Sequence, residues 1–324
     1  MNNRDKLEES AKIKSLYKFF KDNDFLSSDT INLKYNYSKG KKSQWSLAFA
    51  GKCLKDVFGI ENPIFCSKFV EAISGDGQEA DKITTLHSSS LASLLVFYSV
   101  SKDNPIYVDV NGHLEKFIES RFEVKNEVSI GSNNFSNIDV VLYGDNCILY
   151  LESKFSEYLG SGPVEVKEVK YYDIIYNRLA NTLSDIGLHL KERKNGKERV
   201  LERVDEKPFY SEGIKQMISH YLGLTTEIQS GRLNSDGKTI VLGEILFYFD
   251  NKIPNGRKKF NSYREAYSIL KKGLTLCAEE DKTGLIINHL STYQSILAVT
   301  KNHGFLMKLP ESIREFYHFK ELEE

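Results

Sequence analysis

Apolar residues recur at helical spacing through much of the first hundred residues of the chain. A spacing of about 3.6 residues is typical of a helix that buries one face. It predicts helices over 13–25, 45–60, 64–75 and 88–100, with a polar loop over 74–82. The third of these helices ends at a glycine, and the fourth begins with serines, which are common capping residues.

Beyond residue 105 the pattern alternates between helix-like and strand-like segments. A short amphipathic helix is predicted over 111–121, because its apolar residues lie on one side. Further helices are predicted over 166–190, 211–224, 263–274 and 310–319. Strands are predicted over 122–130, 137–144, 147–155, 239–250 and 283–291. The charged run 191–207 is interpreted as a solvated connection. This order predicts an α/β fold with one central sheet flanked by helices.

Two of the predicted strands, 137–144 and 147–155, are separated by a short turn. If residues 145–146 are the two central residues of that turn, Gly144 pairs with Cys147. Counting outward then places Asp139 directly opposite Glu152, with Cβ atoms roughly 4.5–5.5 Å apart. A four-residue loop keeps this pairing, whereas a three-residue loop shifts it by one position and turns Asp139 to the other face.

Asp139, Glu152 and Lys154 therefore form a candidate cluster at the ends of otherwise apolar strands. Two neighbouring carboxylates repel each other and are costly to desolvate without a cation. A Mg²⁺ ion held by both would remove that conflict, and Lys154 on the same face could hold an attacking water or a phosphate oxygen. The alternative is a surface charge cluster where the strands emerge into water.

The pattern Asn137-Ile138-Asp139 followed by Glu152-Ser153-Lys154 resembles the PD-(D/E)xK superfamily of restriction-endonuclease-like nucleases, with Ile138 in place of the proline. The family core is helix, strand, hairpin, helix, strand, an order also predicted here between about 111 and 250. The segment LHSSSLASLLVF (86–97) is similar to the helix before this core in some bacterial members. The resemblance implies that Asp139, Glu152 and the backbone carbonyl of Ser153 bind Mg²⁺. It also implies that Lys154 handles the nucleophilic water.

Four further residues are candidates for the same site. Many members of the superfamily add a glutamate from the preceding helix, which points to Glu115 or, as an alternative, Glu119. Gln216 and His220 resemble the Gln-containing helix of some members, whose polar groups face the metal or DNA. Each of the four could equally be an ordinary surface or packed residue. Two other glutamates of the following strand are interpreted as surface residues: Glu123 and Glu127.

Composition limits the class of protein. The chain has 324 residues, 40% of them hydrophobic and 27% charged, which is typical of a globular protein rather than a disordered one. No apolar run approaches the roughly 20 residues of a membrane-spanning helix, and the start is polar. Four scattered cysteines without a CxxC pair favour the cytoplasm over a disulfide framework. The net charge of −1 indicates no global basic field, but basic clusters occur at 39–42, 191–199 and 256–259.

Together these features predict a helical N-terminal region, 1–104, packed on a nuclease core, 105–324, with an insertion near 160–210. The expected activity is Mg²⁺-dependent hydrolysis of DNA phosphodiesters, with Mn²⁺ as a substitute ion, in a restriction or defence system. The resemblance also implies a homodimer, because two DNA strands need two sites. The alternatives are a non-catalytic module that binds nucleic acid or protein, and a hydrolase of a small substrate.

Overall fold

The computed structural model describes nine stretches of the chain: residues 63–72, 89–155, 157–159, 164–166, 170–192, 199–203, 211–233, 235–248 and 255–300. The predicted helices over 13–25, 45–60 and 310–319 lie outside the described residues, as does the basic cluster at 39–42. The division of the chain at residue 104 stays a prediction for the same reason.

Ten strands occur in the described residues. They are β1 Ile106–Val110, β2 His113–Glu127, β3 Phe135–Gly144, β4 Cys147–Lys154, β5 Val164–Val166, β6 Leu188–Glu192, β7 Arg199–Arg203, β8 Thr239–Leu246, β9 Ile286–Ile287 and β10 Ser291–Thr292. Seven of them form a mixed sheet in the order β1-β2-β3-β4-β8-β10, with β9 also on β8. Strands β1 to β4 are antiparallel neighbours, whereas β4, β8, β9 and β10 run parallel.

The helices of the described residues are α1 Pro63–Ala72, α2 Ser89–Phe97, α3 Lys170–Arg178, α4 Ala180–Asp185, α5 Ser211–Gln229, α6 Gly256–Glu280 and α7 Tyr293–Val299, with a 3₁₀ turn at Glu157–Leu159. None of these helices is long and apolar enough to cross a membrane. The helix predicted over 211–224 is confirmed as the longer α5, and the helix predicted over 263–274 is confirmed within α6.

The two central strands of the main sheet are covered on both faces. Every residue of β4 is buried, and so is every residue of β8 except the first. Helices α5 and α6 contact one face, through His220 and Tyr263, while α2 and α7 contact the other at Ser153. Because both faces are buried, these strands read as continuous apolar runs, and a charged residue within them lies in the interior.

The helix predicted over 111–121 is wrong, since these residues belong to β1, its turn and β2. Strand β2 is paired along both edges, with β1 and with β3. Leu114 is exposed while Phe117 is fully buried, so the apolar residues that suggested one helical face do not share an environment. The ladder hydrogen bonds and burial gained on both edges outweigh the local helical pattern.

The predictions for 166–207 are also corrected. The expected long helix is two short ones, α3 and α4, followed by strand β6. The expected solvated connection contributes β7, which pairs with β5 and β6 in a separate three-stranded antiparallel sheet. Leu201 of β7 is fully buried, as expected for a strand with one covered face.

Candidate functional site

The hairpin of β3 and β4 has the predicted register. Val140 pairs with Leu151 and Tyr143 with Ile148, so the next position places Asp139 opposite Glu152. Two residues further along β4, Lys154 lies on the same face as Glu152, because side chains alternate along a strand. The register inferred from a two-residue turn is therefore confirmed, and it brings three predicted site residues together.

Asp139 is the most accessible member of this cluster. Its Oδ2 atom accepts a hydrogen bond of 2.7 Å from the backbone N–H of Ser153, and its side chain is half-buried. Its Oδ1 atom has no hydrogen-bond partner among the described residues. Asp139 thus presents one carboxylate oxygen that the described residues leave available.

Glu152 is held from two sides in the interior and is 1% exposed. Its Oε1 atom accepts from Nζ of Lys154, and its Oε2 atom lies 2.7 Å from Nε2 of His220. An ionised carboxylate has about four lone-pair positions, so each oxygen retains capacity for one more partner. The arrangement fixes the carboxylate without using all of its acceptor capacity.

The two facing carboxylates have opposite pKa shifts. Burial and the charge of Glu152 raise the pKa of Asp139 well above its usual value, against the opposing effects of Lys154 and the Ser153 amide. Burial alone would also raise the pKa of Glu152, but Lys154 and His220 outweigh it and lower this pKa to about 2. Glu152 is consequently the ionised member of the pair, as expected when two carboxylates share a site.

His220 joins helix α5 to the cluster and is buried. Its Nδ1 atom contacts the hydroxyl of Ser136 on β3, while Nε2 contacts Glu152. Ser, His and Glu in a line have the composition of a hydrolase triad. However, Ser136 is 3% exposed, so its hydroxyl is enclosed by the fold instead of facing a substrate. We therefore interpret this line as a positioning contact for Glu152.

Sequence reasoning missed Glu244, which extends the cluster to a third strand. Glu244 on β8 pairs in register with Glu152 and is fully buried. The hydroxyl of Tyr263 donates to its two oxygens at 2.9 and 2.8 Å. Burial raises the pKa of Glu244 to about 8, although Lys154 and Tyr263 act in the opposite direction. A lone glutamate inside the apolar run TIVLGEILF (239–247) was the available signal.

The prediction that Glu123 is a surface residue is wrong. It is 7% exposed and lies on β2 opposite Asp139, between the pairs Phe122–Val140 and Val124–Ile138. Its φ of +51° is uncommon for a residue other than glycine and marks a local distortion of the strand. A row of acidic residues therefore crosses the adjacent strands β2, β3, β4 and β8. Its members are Glu123, Asp139, Glu152 and Glu244.

Glu115 and Glu119 lie away from this row, so their predicted place in the site is wrong. Both are on β2 instead of on a helix. Glu119 is exposed, and its Oε1 atom accepts a hydrogen bond of 3.1 Å from Nε of Arg121. It pairs with Tyr143, which lies about 14 Å along β3 from Asp139. Glu115 accepts from Asn146 in the hairpin turn, at the opposite end of β3 and β4.

Two side-chain oxygens near the cluster are shielded from solvent without a hydrogen bond within the described chain. One is Oδ1 of Asn137, two residues before Asp139 on β3. The other is Oε1 of Gln216, one helical turn before His220 on α5. A buried acceptor without a donor costs about 1–3 kcal/mol. Such atoms are expected where a water or an ion completes the hydrogen bonding.

The carboxylate oxygens of Asp139 and Glu152 suit a hard cation that takes few ligands from the protein and keeps several waters. No group of three or more His, Cys, Asp or Glu side chains in the described ranges has the geometry to hold a metal ion. Mg²⁺ commonly uses one or two carboxylates and keeps several waters. Asp139 and Glu152 supply two carboxylates with acceptor capacity, so the residues present fit this ion.

Comparisons with family models, with curated proteins and with solved structures found no match.

Proposed function

We propose that this protein is a Mg²⁺-dependent DNA endonuclease that hydrolyses phosphodiester bonds and belongs to the PD-(D/E)xK superfamily. The observation that carries the proposal is the placement of Asp139, Glu152 and Lys154 on one face of paired strands, with one oxygen of Asp139 left available. Carboxylates with a nearby lysine are suited to phosphodiester hydrolysis, in which negative charge develops on the phosphate.

Each residue has a distinct role in the proposed reaction. Asp139 and Glu152 would hold the ion, helped by the backbone carbonyl of Ser153. The ion, when bound, supplies a Lewis acid for the phosphate and lowers the pKa of a bound water. Lys154 orients the attacking water and offers a positive charge to the phosphate, while His220 keeps Glu152 in position. Mn²⁺ would substitute for Mg²⁺, and a homodimer would supply one site for each DNA strand.

The order of elements supports the proposal. Helix α2, strand β2, the β3–β4 hairpin, helix α5 and strand β8 occur in the order helix, strand, hairpin, helix, strand. Strand β1 lies between α2 and β2, and the segment from β5 to β7 lies between the hairpin and α5. The first helix of this series is α2, within the segment 86–97, and not 111–121. Helix α5 also takes the place of the helix after the hairpin and brings His220 to Glu152, despite the long insertion before it.

A non-catalytic module is the second candidate, and one observation favours it. Glu152 and Lys154 are buried and already bonded to each other, and His220 completes the contacts of the carboxylate. A cluster that satisfies itself could persist as a structural ion pair in a fold that only binds nucleic acid or protein. Metal binding separates the two candidates, because the module has no use for an ion.

Plasmid cleavage and metal binding test the proposal together. Supercoiled plasmid and single-stranded DNA are incubated with the wild type in Mg²⁺, Mn²⁺ or EDTA, and Mn²⁺ binding is titrated by electron paramagnetic resonance. Asp139→Asn and Lys154→Ala are expected to abolish cleavage, and Asp139→Asn to weaken Mn²⁺ binding as well. Glu119→Gln is the matched control, because it removes an exposed carboxylate on the neighbouring strand and should change neither.

Two results would contradict the proposal. If the wild type binds no Mn²⁺ at millimolar concentration, the cluster is a structural ion pair and the non-catalytic module is favoured. If Asp139→Asn and Lys154→Ala cleave as fast as the wild type, the activity arises elsewhere in the chain or from a contaminant.

A further inference from the structure

A cavity of about 450 Å³ lies between the start of α6 and the segment that contains β10 and the start of α7. Its lining combines aromatic rings, cations and hydroxyl groups. The lining includes Tyr248, Arg257, Phe260, Arg264 and Thr292. None of them belongs to the Asp139–Glu152 cluster.

Tyr248 is held rigidly at this cavity. Its backbone N–H donates to Oε1 of Gln294 at 3.1 Å, and its carbonyl oxygen accepts from Nε2 of the same side chain at 3.0 Å. Its ring packs edge-on against Phe260, with centroids 4.7 Å apart. An aromatic ring whose backbone is fixed on both sides loses little conformational freedom when a flat ligand stacks on it.

Two arginines, Arg257 and Arg264, supply the positive charge of the cavity. Arg257 is exposed and forms no ion pair or hydrogen bond within the described residues. It lies in the first turn of α6, where a positive charge is electrostatically unfavourable. Arg264 lies on the same side of the helix, with its guanidinium 5.8 Å from the centre of the Phe260 ring. Both guanidinium groups remain available to a negatively charged ligand.

The cavity and the acidic cluster lie at the same end of the main sheet. Thr292 of β10 pairs with Leu246 of β8, and Leu246 pairs with Lys154 of β4. The three residues form one row across adjacent strands, so Thr292 and Lys154 are about 10 Å apart. Helix α6 covers the face that carries Glu152 and Glu244, and the first turns of the same helix line the cavity.

We propose that this cavity binds a nucleotide of the nucleic-acid strand that flanks the cleaved bond. An unpaired base stacks on Tyr248, and the neighbouring phosphates contact Arg257 and Arg264. Stacking on a fixed aromatic ring beside cations is the usual way to bind single-stranded nucleic acid without reading its sequence. The inference rests on the proposed function, since it assigns the substrate strand to this surface.

Binding of a fluorescein-labelled single-stranded 20-mer in EDTA tests the cavity separately from cleavage. The double variant Arg257→Ala/Arg264→Ala should bind more weakly, and the slope of log K against log salt should fall in magnitude by about 1.4, or 0.7 for each phosphate contact. Tyr248→Ala should weaken binding roughly 5- to 150-fold, whereas Tyr248→Phe keeps the ring and should bind like the wild type.

Lys272→Ala is the control, since it removes an exposed cation from the same helix away from the cavity, and should leave affinity unchanged. Circular dichroism and the urea midpoint verify that each variant is folded. The inference is overturned if the wild type does not bind the 20-mer at 50 mM salt, or if the arginine variant keeps both affinity and salt slope. Binding that depends on the arginines and Tyr248 without cleavage in Mg²⁺ would retain the cavity and reject the nuclease. If the wild type cleaves DNA and these variants bind the 20-mer like the wild type, the nuclease is retained and the cavity is rejected.

Discussion

The Nε2 atom of His220 lies 2.7 Å from Oε2 of Glu152, and this buried contact joins two residues 68 positions apart in sequence. The other ring nitrogen contacts Ser136 on β3. Helix α5 and two adjacent strands therefore meet at one imidazole ring. The orientation of Glu152, and with it the geometry of the candidate site, depends on how α5 packs against the sheet.

Removing the imidazole should destabilise the fold. His220→Ala leaves a buried carboxylate and a buried hydroxyl each without one partner, which we expect to lower the free energy of unfolding by about 2–4 kcal/mol. Urea denaturation at pH 7 measures this change. His113→Ala is the control, because His113 is exposed at the start of β2 and its loss should have little effect. Equal stability of both variants would mean that the His220–Glu152 contact contributes nothing.

Glu244 should make stability depend on pH. Because its pKa is raised to about 8 from an unfolded value near 4.5, the folded state favours the protonated form. Its contribution is complete below about pH 4.5 and is lost as the pH rises through about 8, with a slope of up to about 1.4 kcal/mol per pH unit. Glu244→Gln mimics the protonated form and should flatten urea stability profiles between pH 5 and 8. A profile as steep as that of the wild type would contradict the assignment.

Gly223 should resist the addition of one methyl group. A Cβ atom at this position of α5 would lie 3.0 Å from Cβ of Asn126 and 3.2 Å from Cβ of Ser136. Both neighbours belong to paired strands, β2 and β3, and have little freedom to move. Alanine gains about 1 kcal/mol of helix propensity, but the overpacking costs about 1–3 kcal/mol. We expect a lower urea midpoint for Gly223→Ala and reduced cleavage, since Ser136 contacts His220. A raised urea midpoint would show that β2 and β3 move enough to accommodate the added methyl group.

The hydroxyl of Tyr293 should contribute to stability without contributing to catalysis. It lies 2.6 Å from Oγ of Ser153, on the face of β4 opposite Glu152 and Lys154. Tyr293→Phe removes this hydrogen bond and should cost about 1 kcal/mol in a thermal or urea titration. Tyr107→Phe, at a half-buried tyrosine, is a suitable control. Loss of cleavage in folded Tyr293→Phe would place this hydroxyl in the reaction after all.

Most of the elements that carry the site were predictable, and the errors have a common cause. The long apolar runs at 137–144 and 147–155, bounded by a turn, predict the two strands of the hairpin. Residues 111–121 fit a helical period equally well, and only pairing of β2 with both neighbours decides in favour of a strand. The predicted placement of Glu115 and Glu119 in the site depends on this helix, whereas both residues lie on β2.

The sequence by itself determined the β3–β4 hairpin and hence the placement of Asp139 opposite Glu152, with Lys154 on the same face. A short turn sets the register of its two strands, and alternation then sets the faces, so both effects are local in the chain. Only the tertiary structure decided that Glu244 and His220 complete the cluster. They arrive on β8 and α5, whose positions follow from burying both faces of β4, and no local pattern encodes the register of that parallel pairing or the packing of that helix.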